Sequence, residues 1–278
     1  MKGRRGSGAE PSPGEGSGEG QRPRVFVRPE AVLGDRVRFE PDEARHLGRV
    51  RRVRPGDLVD ATDGAGHLYT VRVTALDQAG AWGTIEGRSE PSRESPCAIT
   101  LAQAVLKGDR MGWLVQKVTE LGVARIVPME TARVVARAAP GAMPHRRWER
   151  IAREAVKQSG RVVVPVVERP RSFTDAAREA PGHDLALLCW EGGDSTLTLD
   201  RAVPASCRPT RLLLLVGPEG GFTPEEVALA ERSGARPVSL GPRILRAESA
   251  ALAAVALCQY RFGDLGGPRG SGAAGSAT

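Results

Sequence analysis

An apolar run over residues 212–216 empties into Gly217-Pro218-Glu219-Gly220-Gly221-Phe222 and then into Thr223-Pro224-Glu225-Glu226. Glycines just beyond the carboxyl end of a buried strand let backbone amides come close to a ligand, and open α/β sheets bind ligands there. A tight structural turn is the other reading of these residues. The segment lacks the Lys-Ser/Thr of a P-loop and does not spell G-x-G-x-x-G. A phosphoryl-transfer enzyme or a dehydrogenase would therefore be without its usual loop. A second segment, Leu240-Gly241-Pro242-Arg243-Ile244-Leu245-Arg246-Ala247-Glu248-Ser249, joins a glycine turn, two arginines and a carboxylate at the start of a helix. Alone, Glu248 suits the positive end of a helix dipole, and Arg243 suits a partner acid. With a third loop after Leu188-Cys189-Trp190-Glu191, three strand-end loops together make a cleft the stronger reading. His46, His67, His145 and His183 have no partnered nucleophile, which argues against hydrolysis by a triad.

These loops need strands and helices to hold them. From Cys97 onward, buried apolar runs alternate with amphipathic stretches, and the pattern predicts strands at 98–106, 125–128, 162–167, 185–190, 212–216 and 237–240. Helices are predicted at 111–121, ended by Gly122, and around Trp148, Ile151, Ala152, Ala155 and Val156, which follow the helical apolar spacing before Gly160. Thr223, Pro224 and Glu226 supply an N-cap, a first-turn proline and a capping-box glutamate. The last helix spans 247–262. Such alternation implies a mostly parallel sheet covered on both faces. From 24 to 90 the pattern is short and alternating, broken at Pro55-Gly56-Asp57 and Asp63-Gly64, which predicts a small β-barrel or sheet. One helical piece, 42–50, would bring Arg45, Arg49 and Arg52 near one side. A linker over 89–96 separates the two units. The ends, 1–23 and 266–278, are rich in small and polar residues and are expected to be disordered.

The chain has 278 residues, with 40 Lys+Arg against 33 Asp+Glu and a formal charge of +7. Nine arginines face five acids over 24–54, and eight basic residues face two acids over 133–161. Such clusters can neutralise phosphates, although ordinary solvated helix faces and codon bias are alternatives: only Lys2, Lys107, Lys117 and Lys157 are lysine. Aromatics make up 4% of the chain, too few for a single-strand binder built on many stacking platforms. Structured nucleic acid read by shape is preferred. Cys97, Cys189, Cys207 and Cys258 have neither zinc-ligand nor disulfide-framework spacing. The longest apolar stretch, 250–258, is far short of the ~20 residues that span a bilayer, and 1–21 has no signal-peptide core. The expectation is a cytoplasmic protein with reduced thiols, no metal and no membrane partner.

The segments 217–222 and 240–250 and the close at Arg261-Phe262-Gly263-Asp264-Leu265-Gly266 closely resemble the RsmE family of bacterial 16S ribosomal RNA uridine-N3 methyltransferases, which belongs to the SPOUT class. Further matches lie at Lys107-Gly108-Asp109-Arg110-Met111, Gln116-Lys117, Glu120-Leu121-Gly122, Gln158-Ser159-Gly160-Arg161 with Pro165, and His46-Leu47-Gly48-Arg49-Val50-Arg51. The resemblance runs from about residue 24 to 266, and the order and spacing of its motifs make it specific.

The resemblance implies an α/β SPOUT domain over 97–265, with a parallel sheet and a deep trefoil knot in its carboxyl-terminal part, about 185–262. Before it, over 24–90, it implies a PUA-like RNA-binding β-barrel. It also implies a homodimer acting on 16S rRNA of the small ribosomal subunit. S-adenosylmethionine would be held by Leu188, Gly217, Pro218, Glu219, Gly220, Gly221, Leu240, Gly241, Leu245, Arg246 and Ser249, largely through backbone groups. Methyl transfer needs alignment of the uridine nitrogen with the donor and loss of the N3 proton. The expected catalytic residues are Arg246, stabilising charge on the uracil carbonyls, and Glu248, which either accepts the proton or fixes that arginine. Arg24, Arg28, His46, Arg49 and Arg52 are the expected RNA contacts. The family's usual threonines flanking the glutamate are Ala247 and Ser249 here, so only position 249 keeps a hydroxyl. A catalytically silent RNA-binding or ribosome-assembly protein, or a SPOUT enzyme for another RNA, remains the alternative.

Overall fold

The computed structural model describes residues 22–77, 80–91, 93–134, 144–192 and 197–267. The ends expected to be disordered, 1–23 and 266–278, lie outside the described residues except at 22–23 and 266–267. The alternating amino-terminal pattern forms β1 (Arg24–Phe26), β2 (Val32–Leu33), β3 (Arg36–Phe39), β4 (Leu58–Thr62), β5 (Leu68–Asp77) and β6 (Gly80–Ser89). Their order is β1-β4-β5-β6-β3-β2, with β1 parallel to β4 and the other pairs antiparallel. Period-two residues, among them Val37, Phe39, Val59, Val71 and Val73, fill one core, and register shifts within β5 bend the sheet around it.

The helical piece of this unit is less regular than the sequence suggests. Helix α1 (Pro41–Arg45) passes into a single π turn, His46–Val50, and Arg52 then takes a left-handed φ of 55°. That turn reverses the chain toward β4. Arg45 bonds back to Asp42 and to the Pro41 carbonyl, and it lines one surface pocket together with Arg49.

The second unit contains β7 (Ala98–Ala104), α2 (Arg110–Glu120), β8 (Arg125–Glu130), α3 (Pro144–Ser159), β9 (Val166–Val167), β10 (Arg171–Ser172), α4 (Phe173–Ala177), β11 (Leu185–Cys189), β12 (Leu197–Thr198), α5 (Leu199–Ala202), β13 (Arg211–Val216), α6 (Pro224–Arg232), β14 (Arg236–Ser239) and α7 (Ala247–Phe262). The sheet order is β10-β8-β7-β13-β11-β14-β12, with β9 also on β8, and every pair is parallel. Strand alternation divides the core in two. Leu212, Leu214 and Val216 of β13 join Ile99, Leu101, Leu185 and Leu187 under α2 and α7. Leu213 and Leu215 join Ala102, Ala186 and Leu188 on the face holding residues of α4 and α6. A strand buried on both faces must be apolar throughout, which explains the unbroken run at 212–216. No described helix is long and apolar enough to cross a membrane.

The predicted strand at 162–167 is shorter, because its first residues pair with the other unit. Gly66 N donates to Val162 O at 3.1 Å, and Val164 N donates to Gly64 O at 2.9 Å. Only Val166 and Val167 add to β8. The expected linker is likewise engaged: Glu94 pairs at 2.5 Å with Arg161, whose buried guanidinium donates to Thr119 O and Val123 O at 2.8 and 3.0 Å. Lys157 meets Glu43 across the same seam at 2.8 Å. The short elements at 171–177 and 197–202 had no predicted counterpart, since two-residue strands and single-turn helices carry too little periodicity to read.

At the far edge of the sheet, Arg125 grips Glu179 with two hydrogen bonds at 2.7 and 2.9 Å and reaches Glu168 at 2.6 Å, while Arg171 bonds Glu179 at 2.5 Å. These bonds, the Arg125 pair foremost, lower the Glu179 pKa from 4.5 to about 2. A depressed carboxylate contributes stability that is full above its unfolded value and is lost as pH falls through the folded one. Glu179→Gln is therefore expected to cost about 1–2 kcal/mol near neutral pH after solvent screening. The difference should shrink between pH 4.5 and 2, as followed by denaturant melts at several pH values.

Candidate active site

Because β13, β11 and β14 are adjacent and parallel, their carboxyl ends open on the same edge of the sheet. The loops that follow surround a cleft of about 650 Å³, counting its open mouth. Trp190 and Glu191 line it from the first loop, Gly217, Pro218, Glu219, Gly221 and Phe222 from the second, and Leu240, Gly241, Arg243, Ile244 and Leu245 from the third.

Local sequence fixes each wall. Gly221 and Gly241 have φ of 67° and 114°, a region in which a side chain is strained. At Gly217, an added Cβ would stand 3.3 Å from the Phe222 ring. Phe222 is buried and tilts against Phe173, with ring centroids 5.3 Å apart, anchoring the far end of the glycine loop. Immediately after it, Thr223 and Glu226 form the expected capping box on α6. Glu226 also accepts from Ala132 N at 2.8 Å. Arg133 donates to Gly220 O at 2.9 Å and to Phe222 O at 3.4 Å. Buried Gln103 reaches Gly217 O at 3.3 Å, and its own Oε1 has no partner among the described residues.

The third loop is built differently. Ser239 and Gly241 hold its turn, and beyond it the peptide groups of 242–245 form no hydrogen bond among the described residues. Backbone polar groups left open in this way are satisfied by water or by a ligand. Arg246 is the N-cap of α7, exposed and without an ion partner among the described residues. Glu248 lies in the first turn with a side chain only 12% exposed.

Of the expected cofactor residues, Gly217, Pro218, Glu219, Gly221, Leu240, Gly241 and Leu245 meet at the cleft. Gly220 stands behind the loop, against Arg133. Leu188 is wholly buried in the core, its backbone paired in the sheet beside Leu215 and Pro237. Arg246 and Ser249 sit at the exposed start of α7, outside the cleft wall. Glu248 does not hold Arg246: its ion partner is Arg110, at 3.7 Å, and the same guanidinium reaches Glu219 at 2.5 Å. Arg110, Arg133, Gln103 and Glu226 were not foreseen as site residues. Each acts across at least 87 residues of chain, except for the capping role of Glu226, and no local pattern encodes such a partner. Among the described residues no cluster of His, Cys, Asp and Glu could hold a metal.

The barrel arginines are placed unevenly. Arg24 is half-buried in the seam and donates to Arg161 O at 3.4 Å, and burial foremost lowers its pKa. Arg28 pairs with Glu40 at 3.2 Å. His46 is half-buried, while Arg49 and Arg52 are exposed with no ion partner among the described residues. Arg36 and Arg38, outside the expected set, stand 5.3 and 5.7 Å from the ring of Trp82.

Residues 93–259 match the family model described as an RNA methyltransferase domain, and residues 39–85 match an RNA methyltransferase PUA domain. With its all-parallel sheet and strand-end cleft, the chain falls in the class of PUA-bearing SPOUT-type RNA methyltransferases. Ribosomal RNA small subunit methyltransferase E of Synechocystis is 35% identical over 234 residues, 84% of this chain and 76% of that protein. Its Bacillus subtilis counterpart is 32% identical over 79% of this chain and 88% of its own length. The chain belongs to this methyltransferase E family. Among solved structures, the Neisseria gonorrhoeae member bound to S-adenosyl methionine matches with a TM-score of 0.76 and 35% identity, covering 88% of this chain and 99% of that one. A putative methyltransferase from Legionella pneumophila in complex with S-adenosylmethionine matches with a TM-score of 0.81 and 33% identity, covering 88% and 100%.

Charge-assisted hydrogen bonds contribute about 1.5–3 kcal/mol each. Arg133→Ala is therefore expected to loosen the glycine loop locally. Amide exchange at Gly220 and Gly221 should accelerate by at least about tenfold, with the β13 amides unchanged, as read by hydrogen-exchange mass spectrometry.

Proposed function

We propose that the chain transfers a methyl group from S-adenosylmethionine to N3 of a uridine in 16S rRNA of the small ribosomal subunit, acting in the cytoplasm as a homodimer. The observation that carries this reading is the meeting of three parallel strand-end loops at one cleft, with the peptide groups of 242–245 open beside Arg246. The donor set fits the cofactor: open backbone groups suit its adenosine and amino-acid parts, and Leu240, Leu245 and Ala250 offer apolar walls to an adenine ring. When bound, S-adenosylmethionine supplies an electrophilic methyl group on a sulfonium.

The chain has two remaining tasks. It must orient the uridine, since alignment is a large part of such a transfer, and it must manage the N3 proton, which uridine carries at neutral pH. Arg246, cationic and without a carboxylate partner among the described residues, stabilises negative charge that spreads onto the uracil carbonyls. Glu248 accepts the proton at Oε2, a buried oxygen with no hydrogen-bond partner among the described residues. Arg49 and Arg52 contact rRNA phosphates, with Arg28 and His46 flanking them, while Arg24 contributes mainly through the seam. Such contacts position the substrate and read little sequence.

Helix α7 supports the dimer. It is apolar nearly all round, and a helix of that kind is covered on every side in its working state, yet Leu257 and Tyr260 are exposed, Tyr260 at 72%. The strand order β7-β13-β11-β14, with α7 returning to pack on β7 and β13, supports a carboxyl-terminal knot in the same region.

The reading is tested by methyl transfer to small subunits from a strain lacking the gene, with the modified nucleoside identified by mass spectrometry. Arg246→Ala is expected to lower turnover by at least about 100-fold while calorimetric affinity for S-adenosylmethionine changes little. Unchanged turnover would remove Arg246 from the mechanism. Tyr260→Asp should convert the dimer to a monomer in light scattering.

A further inference from the structure

We propose that Arg110 is a positioning residue that ties the cofactor loop to the proton acceptor and holds Glu248 without consuming its capacity to accept. The proposal rests on the role given to Glu248 above. Arg110 is the first residue of α2, and its guanidinium joins carboxylates from two separate strand-end loops: Glu219 in the glycine loop after β13, and Glu248 on the helix after β14. These two loops are otherwise fastened to different neighbours, the first to Arg133, Gln103 and Glu226 and the third to Ser239.

The two contacts differ in kind. At 2.5 Å, Arg110 Nη2 and Glu219 Oε1 are in direct charge-assisted contact. At 3.7 Å, Arg110 Nη1 and Glu248 Oε2 attract as charges but lie beyond hydrogen-bond range. Glu248 Oε2 is therefore buried, beside a cation, and without a donor among the described residues. A buried acceptor left without a donor is costly, so a donor that reaches Glu248 Oε2, next along the chain from the cleft-lining Ala247, is favoured there. The N3–H of a bound uridine is such a donor, and the proton it gives up passes to the same oxygen. Without Arg110, the carboxylates of Glu219 and Glu248 would lose the cation between them, and their repulsion would turn Glu248 away from its place.

Arg110 is more than a third exposed, so its replacement leaves folding intact, which melting curves check. The experiment compares wild type, Arg110→Gln, Arg110→Lys, Glu248→Gln and the Arg110→Gln/Glu248→Gln double variant, all as full chains. It measures kcat and KM on small subunits lacking the methyl group, and the affinity for S-adenosylmethionine by calorimetry. Arg110→Gln should lower kcat by about 10–100-fold, keep KM for subunits within about threefold, and weaken cofactor binding only a few-fold through Glu219. Arg110→Lys should recover at least about fivefold of the lost kcat, since it keeps the charge. The double variant should be no slower than Glu248→Gln alone, because a residue that acts through another adds nothing once that other is gone. Multiplying losses, or an unchanged kcat in Arg110→Gln, would overturn the proposal while leaving the enzyme's function standing. A wild-type chain that transfers no methyl group to the subunits would overturn the functional reading and this proposal together.

Discussion

The burial of β13 on both faces is the constraint from which the site follows. Its five apolar residues serve two cores at once, odd positions on one side and even positions on the other. That burial leaves no solvated face, so the strand must sit centrally with parallel neighbours on both sides and helices over each face. Parallel neighbours share a direction, and their following loops emerge together. The chemistry at 188–191, 217–222 and 240–249 is gathered by this geometry and not by any attraction among the loops.

Polar contacts then set the loops precisely enough to act. The glycine loop is held from behind: Arg133 takes its carbonyls, Gln103 reaches its first residue, and Glu226 shares its carboxylate between the cap of α6 and the chain leaving β8. The loop at 240–246 is pinned at its turn and left open beyond it. A rigid wall facing one with free peptide groups suits a site that must both fix a small ligand and admit a larger one.

The seam between the two units has a matching role. Backbone pairing of 64–66 with 162–164, the Arg24 bond to Arg161 O and the Lys157–Glu43 pair join barrel and sheet through several independent contacts, and the buried Arg161 fastens the linker through Glu94. Lone pairs of this sort contribute little when exposed, but Arg161 is buried and satisfied by two carbonyls and a carboxylate. Arg49 and Arg52 are thereby carried on a body fastened to the parallel sheet.

Much of this could be read from residue order alone. The strands at 98, 125, 185, 212 and 236, the capping box at Thr223 and the span of α7 follow from local periodicity and turn chemistry, which depend on neighbours within a few positions. The three glycine-bearing loops were legible for the same reason, as was the resemblance carried by their spacing. Tertiary structure alone decided that 162–164 would pair with the barrel, that Arg24 would enter a seam, and that Glu248 would answer to Arg110 and not to Arg246. Those outcomes depend on side chains brought together from across the chain, and a charged residue bears no local mark of which distant partner the fold will set beside it.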